Sequence, residues 1–421
     1  MNSPLSQLAE SLVGSEIVRI GNAINDQINA GAKIYNYTIG DFAPQVFPIP
    51  QELLAEIIKA YRNGATNYPP ATGIPALRKA VAQFIERHEG IQYAENEIQI
   101  ASGGRPLIYA YFKIIVDPGD KVIYAIPSWN NNHYTHLNAG VACEILTTPE
   151  NDFMPTAEDL KPHLPDAVLL CLCTPQNPTG TTLNQSELEK ICDLVLAENK
   201  RRPEGAKKLY VLFDQMYWTL TYGQTKHFHP VQLRPEMKAY TLTVDGISKA
   251  FSATGVRVGW GLGPERVMAK VKALLSHVGA WAPMAEQQAT AVFLNNDTAV
   301  TAFLADYKKH LEERLWKLYN GFEALRAKGF PVEAIEPQAA IYLTIKIDLK
   351  GRTTTDGKTL ASQNDVTEFL LKQAGVGLVP FLCFGADKES PWYRVSVGTS
   401  TISDIEQMFD NLETAIKSLR V

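Results

Sequence analysis

Tyr240-Thr-Leu-Thr-Val-Asp-Gly-Ile-Ser-Lys-Ala-Phe-Ser-Ala-Thr-Gly-Val-Arg-Val-Gly259 decides the fold. It opens as a short β-rich apolar run, Tyr240–Val244, and passes into a polar turn that carries Lys249. Arg257 follows eight residues later in a Gly-flanked turn. In open, mainly parallel sheets, chemistry is presented outside the carboxyl ends of the strands. A primary amine condenses with an aldehyde, and a guanidinium fork grips phosphate oxygens. Lys249 and Arg257 together therefore suit an aldehyde that carries a phosphate. A lysine after a strand is, taken singly, most often a solvated surface residue; the motifs around it carry the reading.

Working outward, Lys121–Ile126, Ala167–Cys173 and Lys208–Phe213 are further short apolar runs with strand composition, and Asn184–Leu196 between the last two has a helical pattern. Such alternation predicts an α/β fold, a mainly parallel sheet covered by helices on both faces. After about residue 296 the character changes. The amphipathic stretch Ala302–Ala327 precedes two more strand-like runs, Ala340–Ile347 and Tyr393–Val397, and a closing helix. We expect an N-terminal segment, 1–45, with a helix near Ser15–Asn29, packing with a small α+β domain of residues 296–421; residues 46–295 form the large domain. Gly351–Gly357 reads as an exposed loop.

The 421 residues suffice for a large core, and 45% hydrophobic content is ordinary for a globular protein. The net charge of −5 comes from interspersed residues with no basic run, which argues against a nucleic-acid partner. Met1-Asn-Ser-Pro-Leu-Ser is not a secretory signal, and runs such as Ala167–Cys173 are too short to cross a bilayer. Five cysteines (143, 171, 173, 192 and 383) form no metal-type Cys-x-x-Cys pair, and we expect free thiols in a reducing cytoplasm. The histidines at 88, 133, 136, 163, 227, 229, 277 and 310 share no ligand spacing, so no metal is expected.

Several further motifs follow the predicted strands. Asp214 closes the Lys208–Phe213 run, with Tyr217 three residues on; a carboxylate there either caps a turn or meets a cationic ligand atom. Asn177 lies in Thr174-Pro-Gln-Asn-Pro-Thr-Gly180, a turn in any case. Ser102-Gly103-Gly104-Arg105-Pro106 follows Glu97–Ala101 and opens a helix, whose free N–H groups make an anion site that glycines let a ligand approach. Trp129 follows the Lys121–Ile126 run, and Tyr68 stands in Asn67-Tyr-Pro-Pro-Ala-Thr-Gly73. Near the ends of the chain are Gly40, in Thr38-Ile-Gly-Asp41, and Arg394, in Tyr393-Arg-Val-Ser-Val-Gly398.

In this order, over roughly residues 15–420, these motifs resemble the class I (class I/II) aminotransferases, aspartate aminotransferase-like enzymes of fold type I that use pyridoxal 5'-phosphate (PLP). The resemblance implies a large domain with a mainly parallel, seven-stranded type of sheet and a smaller α+β domain. It implies that Lys249 anchors PLP and moves a proton, that Asp214 meets the pyridine nitrogen, and that Tyr217 and Asn177 donate to the ring oxygen. Trp129 would stack on the ring, while Gly103, Gly104, Arg105 and Arg257 would surround the phosphate. Tyr68 would reach the phosphate of the neighbouring subunit in a homodimer with shared sites. Arg394 would grip the substrate α-carboxylate beside Gly40, with Asn177 nearby. The activity implied is ping-pong transfer of an amino group between an L-amino acid and a 2-oxo acid.

A cation in the first turn of a helix is opposed by the helix dipole, so Arg105 needs an anion nearby. That anion is either the phosphate or a substrate's distal carboxylate, where some aspartate aminotransferases of similar sequence carry a lysine; the second reading predicts an aspartate- or glutamate-like substrate, and the plain alternative is a solvated surface arginine. Trp129, Trp281 and Phe381 argue instead for an apolar pocket. Gly246, Ala339-Ala340-Ile341-Tyr342 and Phe381 depart from the family's usual Ser or Thr, Gly-Ala-Phe-Tyr and Gly. The alternatives on this scaffold are a β-eliminating lyase and a cyclopropane-forming synthase. An acyl-CoA-condensing relative would have His where Tyr217 stands. A PLP-sensing regulator would need a winged helix, for which the forty or so residues before Asp41 are too few. An inactive interaction protein is disfavoured because no cofactor position is lost.

Overall fold

Five adjacent strands build the parallel part of a seven-stranded sheet in this computed structural model, which describes residues 4–14 and 16–420. Met1–Ser3, Ser15 and Val421 lie outside the described residues, and with them part of the N-terminal reading and the first residue of the expected 15–29 helix. The chain divides into two compact units.

The larger unit comprises Phe42–Glu312 and Gln338–Ala340. Its strands are β1 (Ile98–Ala101), β2 (Lys121–Ile126), β3 (Val141–Leu146), β4 (Ala167–Cys173), β5 (Tyr210–Asp214), β6 (Thr241–Gly246) and β7 (Gly259–Leu262). Their order is β1-β7-β6-β5-β4-β2-β3; only β7 runs antiparallel to its neighbours. The central strands are buried along nearly their whole length, as expected for a sheet covered on both faces. One core cluster joins Leu77, Phe84, Ile247 and Trp260, and another joins Leu170, Leu188, Ile191 and Phe213.

The helix expected from Asn184 is Gln185–Arg201; Asn184 is its cap, accepting from the Glu187 N–H at 2.9 Å. Two strands, β3 and β7, lie outside the sequence expectation. β3 is an edge strand with mostly exposed side chains, so it lacks the apolar run of a buried strand. In β7, Gly-Trp-Gly-Leu lacks a β-rich apolar run, and its glycines serve packing. A Cβ on Gly259 would lie 2.6 Å from the Gly103 carbonyl carbon, and one on Gly261 would lie 2.3 Å from Tyr111 Oη.

The smaller unit gathers the residues up to Asp41, Glu313–Pro337 and the chain from Ile341 onward. Its four-stranded antiparallel sheet runs Val379–Pro380, Trp392–Ser396, Tyr342–Ile347, Val332–Ala334. Tyr35–Asn36 pairs in parallel with Val376–Gly377, and the Glu16–Asn29 helix buries Ile24 completely. The closing helix, Ile402–Lys417, starts at a Thr401 capping box with Asp404. Residues 351–357 form exposed turns, fastened where the Thr353 N–H donates to the Arg420 carbonyl at 2.9 Å. The helix Asp297–Ala327 supplies residues to both units, and the Gln338–Ala340 segment belongs to the larger one.

Candidate active site

Three neighbouring strands deliver the central residues. In the parallel registers Cys173 lies opposite Asp214, and Asp214 opposite Val244. The carboxyl ends of β4, β5 and β6 are therefore level, and they lead into Asn177, Asp214 and Lys249 respectively. Lys249 stands in a single helical turn, Ile247–Ala250, directly after β6. It is half-buried, with its Nζ 5.5 Å from the centre of the Phe42 ring. Its carbonyl accepts from Tyr307 Oη at 3.3 Å, and the Tyr307 ring packs 5.6 Å from Phe42. One aromatic cluster thus contacts Lys249 at both its side chain and its backbone; neither Phe42 nor Tyr307 carries a sequence signal for it.

Asp214 accepts the Met216 N–H at 3.1 Å. Burial pushes its carboxyl up to about 6, and that backbone hydrogen bond opposes the shift. At neutral pH it remains mostly ionised, and a cationic partner would lower it again. Tyr217 and Asn177 are both buried, at 4% and 8% exposure. Trp129 is half-buried three residues beyond β2.

The Ser102–Arg105 turn leads from β1 into the Gly104–Ile115 helix. Arg257 lies directly against it. Its Nη2 donates to the Ser102 carbonyl at 2.9 Å and its Nη1 to the Thr254 carbonyl at 2.7 Å. Arg257 has a left-handed backbone, φ 63°, a conformation that costs a non-glycine residue about 1 kcal/mol and that these two bonds offset. Gly103 has φ 83°, and a Cβ there would fall 2.3 Å from Arg257 Nη2. Gly246 is explained in the same way: a Cβ would lie 2.8 Å from both Gly259 Cα and the Val258 carbonyl oxygen, which leaves no room for Ser or Thr. The set can hold a phosphate-bearing aldehyde: a glycine turn with an arginine, a buried carboxylate for a cationic ring atom, and an amine.

Arg105 is exposed, its guanidinium carbon 4.9 Å from the centre of the Trp129 ring. Tyr68 is 82% exposed and meets Trp281 edge-on at 5.3 Å.

In the smaller unit, Arg394 is buried on the Trp392–Ser396 strand. Its Nη2 donates to the Thr38 carbonyl at 2.7 Å, and its guanidinium lies 4.6 Å from the Tyr342 ring centre and 5.1 Å from that of Phe384. Gly40 is beside it: a Cβ there would come within 2.8 Å of Tyr342 Oη and 3.6 Å of Arg394 Nη1. Gly40 and Arg394, 354 positions apart in sequence, are thus brought side by side. His227 and His229 are core histidines, both held well below the usual range by burial.

The family model described as aminotransferase class I and II matches residues 35–412. An aspartate aminotransferase of Bacillus sp. (strain YM-2) is 30% identical over 373 residues, which cover 88% of this chain and 89% of that one. A probable aspartate/prephenate aminotransferase of Rickettsia felis is 30% identical over 378 residues, 89% of this chain and 88% of that one. Among solved structures, the aspartate aminotransferase of Rhizobium meliloti superposes with a TM-score of 0.90 at 25% identity, over 100% of both chains. That of Thermus thermophilus with maleate superposes at 0.85 and 26% identity, over 98% of this chain and 100% of that one. With the family model matched over residues 35–412, relatives 30% identical over nearly nine-tenths of the chain and solved structures superposing over almost all of it, this chain belongs to the class I and II aminotransferase family.

Proposed function

We propose that this aminotransferase exchanges an amino group between a dicarboxylic L-amino acid and a 2-oxo acid, with PLP held by the residues of the strand ends. The observation that carries the reading is that the neighbouring carboxyl ends of β4, β5 and β6 carry Asp214 at the end of β5 and lead into Asn177 and Lys249. When bound, PLP supplies an electron sink for charge that develops at the substrate Cα. Lys249 Nζ takes the proton from that carbon and returns one during the transfer. The Asp214 carboxylate holds the proton on the ring nitrogen, the charged form that burial alone would disfavour. The Tyr217 hydroxyl and the Asn177 amide donate to the ring oxygen, and Trp129 covers a ring face. The Gly103 and Gly104 backbone and Arg257 hold the phosphate, with Arg257 already braced on Ser102. Arg394 grips the α-carboxylate through its fork, and Gly40 leaves the space.

Arg105 supports the acidic substrate. An exposed guanidinium stacked on Trp129 is steered by the ring rather than left to wander, and it is suited to a distal carboxylate. The printed names of the relatives, aspartate and aspartate/prephenate aminotransferase, agree with this. A homodimer is supported by Tyr68, Tyr61, Ile58 and Val292, large side chains left 82%, 49%, 42% and 50% exposed on the larger unit. The five free cysteines suit a reducing cytoplasm, and among the described residues no helix is long and apolar enough to cross a membrane.

Measuring kcat/KM for aspartate, glutamate, phenylalanine and leucine in wild type and Arg105→Ala tests the substrate class. A loss confined to the two acidic donors supports it. An equal loss for all four assigns Arg105 to the phosphate, and no loss assigns it to the solvated surface.

A further inference from the structure

Beneath the strand ends lies a group of buried polar side chains to which no role in the transfer has been given. Glu89 ends the Pro75–Glu89 helix and is 5% exposed. Gln215, the residue after Asp214, is fully buried and donates from Nε2 to Glu89 Oε2 at 3.0 Å. The Gln215 Oε1 lies 3.2 Å from His227 Nε2, and that nitrogen is 3.7 Å from Glu89 Oε1. The Gln215 backbone N–H donates to the Val244 carbonyl at 3.1 Å. Gln215 is thus fastened on three sides, to a helix end, to a histidine and to β6. Glu89 Oε1 and His227 Nδ1 have no hydrogen-bond partner among the described residues.

The charge balance of this group is unusual. Burial pushes the Glu89 carboxyl up to about 8; the nearby Asp245 adds to the shift and the Gln215 bond opposes it. Asp245 is itself pushed up to about 7 by burial, against hydrogen bonds from the Gly246 N–H at 2.7 Å and Trp218 Nε1 at 2.9 Å. Burial takes His227 down to about 3, so it does not supply a counter-charge at neutral pH. Tyr93, whose hydroxyl the carboxyl helps to push up, also faces Glu89, and Asp214 acts on Asp245. No lysine or arginine pairs with Glu89 among the described residues. Burial raises all three carboxyls, Asp214 the least.

We propose that Glu89 is a positioning residue that acts through Gln215, holding Asp214 in place. The proposal rests on Asp214 facing the ring nitrogen of PLP. A displacement of Asp214 by a fraction of an ångström would be felt at that nitrogen, where misplacement is costly. Glu89→Leu removes the acceptor and leaves Gln215 Nε2 unsatisfied in the core; Glu89→Gln keeps an acceptor oxygen and cannot ionise.

The test uses PLP-loaded wild type, Glu89→Leu and Glu89→Gln, following the pH titration of the bound cofactor's absorption band, the half-reaction rate with one amino donor, and Tm. We expect Glu89→Leu to shift the titration midpoint by about half a pH unit or more and to slow the half-reaction about tenfold. Glu89→Gln should restore both at pH 7. A Glu89→Leu titration that overlays wild type, with only a lower Tm, would reduce Glu89 to a structural residue and overturn the proposal while leaving the functional reading intact. A wild type with no lysine-linked chromophore would overturn that reading, and the proposal with it.

Discussion

Arg257 Nη2 donates to the Ser102 carbonyl oxygen at 2.9 Å, which lays the guanidinium across the glycine turn between β1 and its helix. The two residues are 155 positions apart, and the contact joins the arginine eight residues after Lys249 to a glycine turn that opens a helix, a place suited to an anion. Gly259 backs the same turn from β7.

Gly103→Ala should therefore weaken PLP binding by tenfold or more. The new Cβ would sit 2.3 Å from Arg257 Nη2 and would impose a side chain at φ 83°, a conformation costing about 1 kcal/mol. Equilibrium titration of the apoprotein with PLP measures it. An unchanged affinity would show that the phosphate lies elsewhere.

Lys249→Ala should abolish turnover and leave nothing for borohydride to fix covalently to the protein, while PLP still binds through the Ser102–Arg105 turn and Arg257. Mass spectrometry after reduction reads the outcome directly. A retained adduct would identify another lysine as the anchor.

Arg394→Lys should lower kcat/KM for every amino donor by about a hundredfold, because a single ammonium replaces a two-pronged, charge-assisted grip. Gly40→Ala should impair the same parameter for a different reason, its Cβ falling 2.8 Å from Tyr342 Oη. Adding Tyr342→Phe removes that oxygen and should recover part of the loss, which a double-mutant cycle would register as a favourable coupling. Strictly additive losses would mean that Gly40 and Tyr342 do not meet there.

The pH dependence of stability should respond to Glu89. Its carboxyl is at about 8 in the folded protein against an ordinary value of 4.5. Between those values the folded state keeps a proton that the unfolded state has released. The stability linked to it is fully present below about 4.5 and is lost as pH rises to about 8, by up to about 1.4 kcal/mol per pH unit. Glu89→Gln cannot titrate, so relative to wild type it should gain stability from pH 5 to pH 8; Asp214 and Asp245 titrate in both proteins. Urea unfolding at pH 5, 6.5 and 8 checks the sign. A difference independent of pH would place Glu89 in its ordinary range.

Much of the catalytic end of the sheet is legible because its signals are local. Ala167–Cys173 and Thr241–Val244 are continuous apolar runs because both faces of those strands are covered, and the residues that follow each run inherit a place at the strand end. Gly-Gly after a strand, Asn-Pro in a turn and a lysine after Val244 thus declare both their backbone and their position. β7 was not legible, since its glycines answer to Gly103 and Tyr111, partners that its own neighbours in sequence do not reveal.

The sequence by itself determined the succession of most strand-like runs along the chain and which chemistry-bearing residues follow them, whereas their order in the sheet came from the structure. Tertiary structure decided which side chains stand behind that chemistry. Gln215 meets Glu89 across 126 positions, Tyr307 reaches the Lys249 carbonyl across 58, and Arg394 finds the Thr38 carbonyl across 356. The reason is physical: periodicity and turn chemistry act over a few residues, whereas the satisfaction of a buried polar group depends on whatever the folded chain brings within about 3 Å.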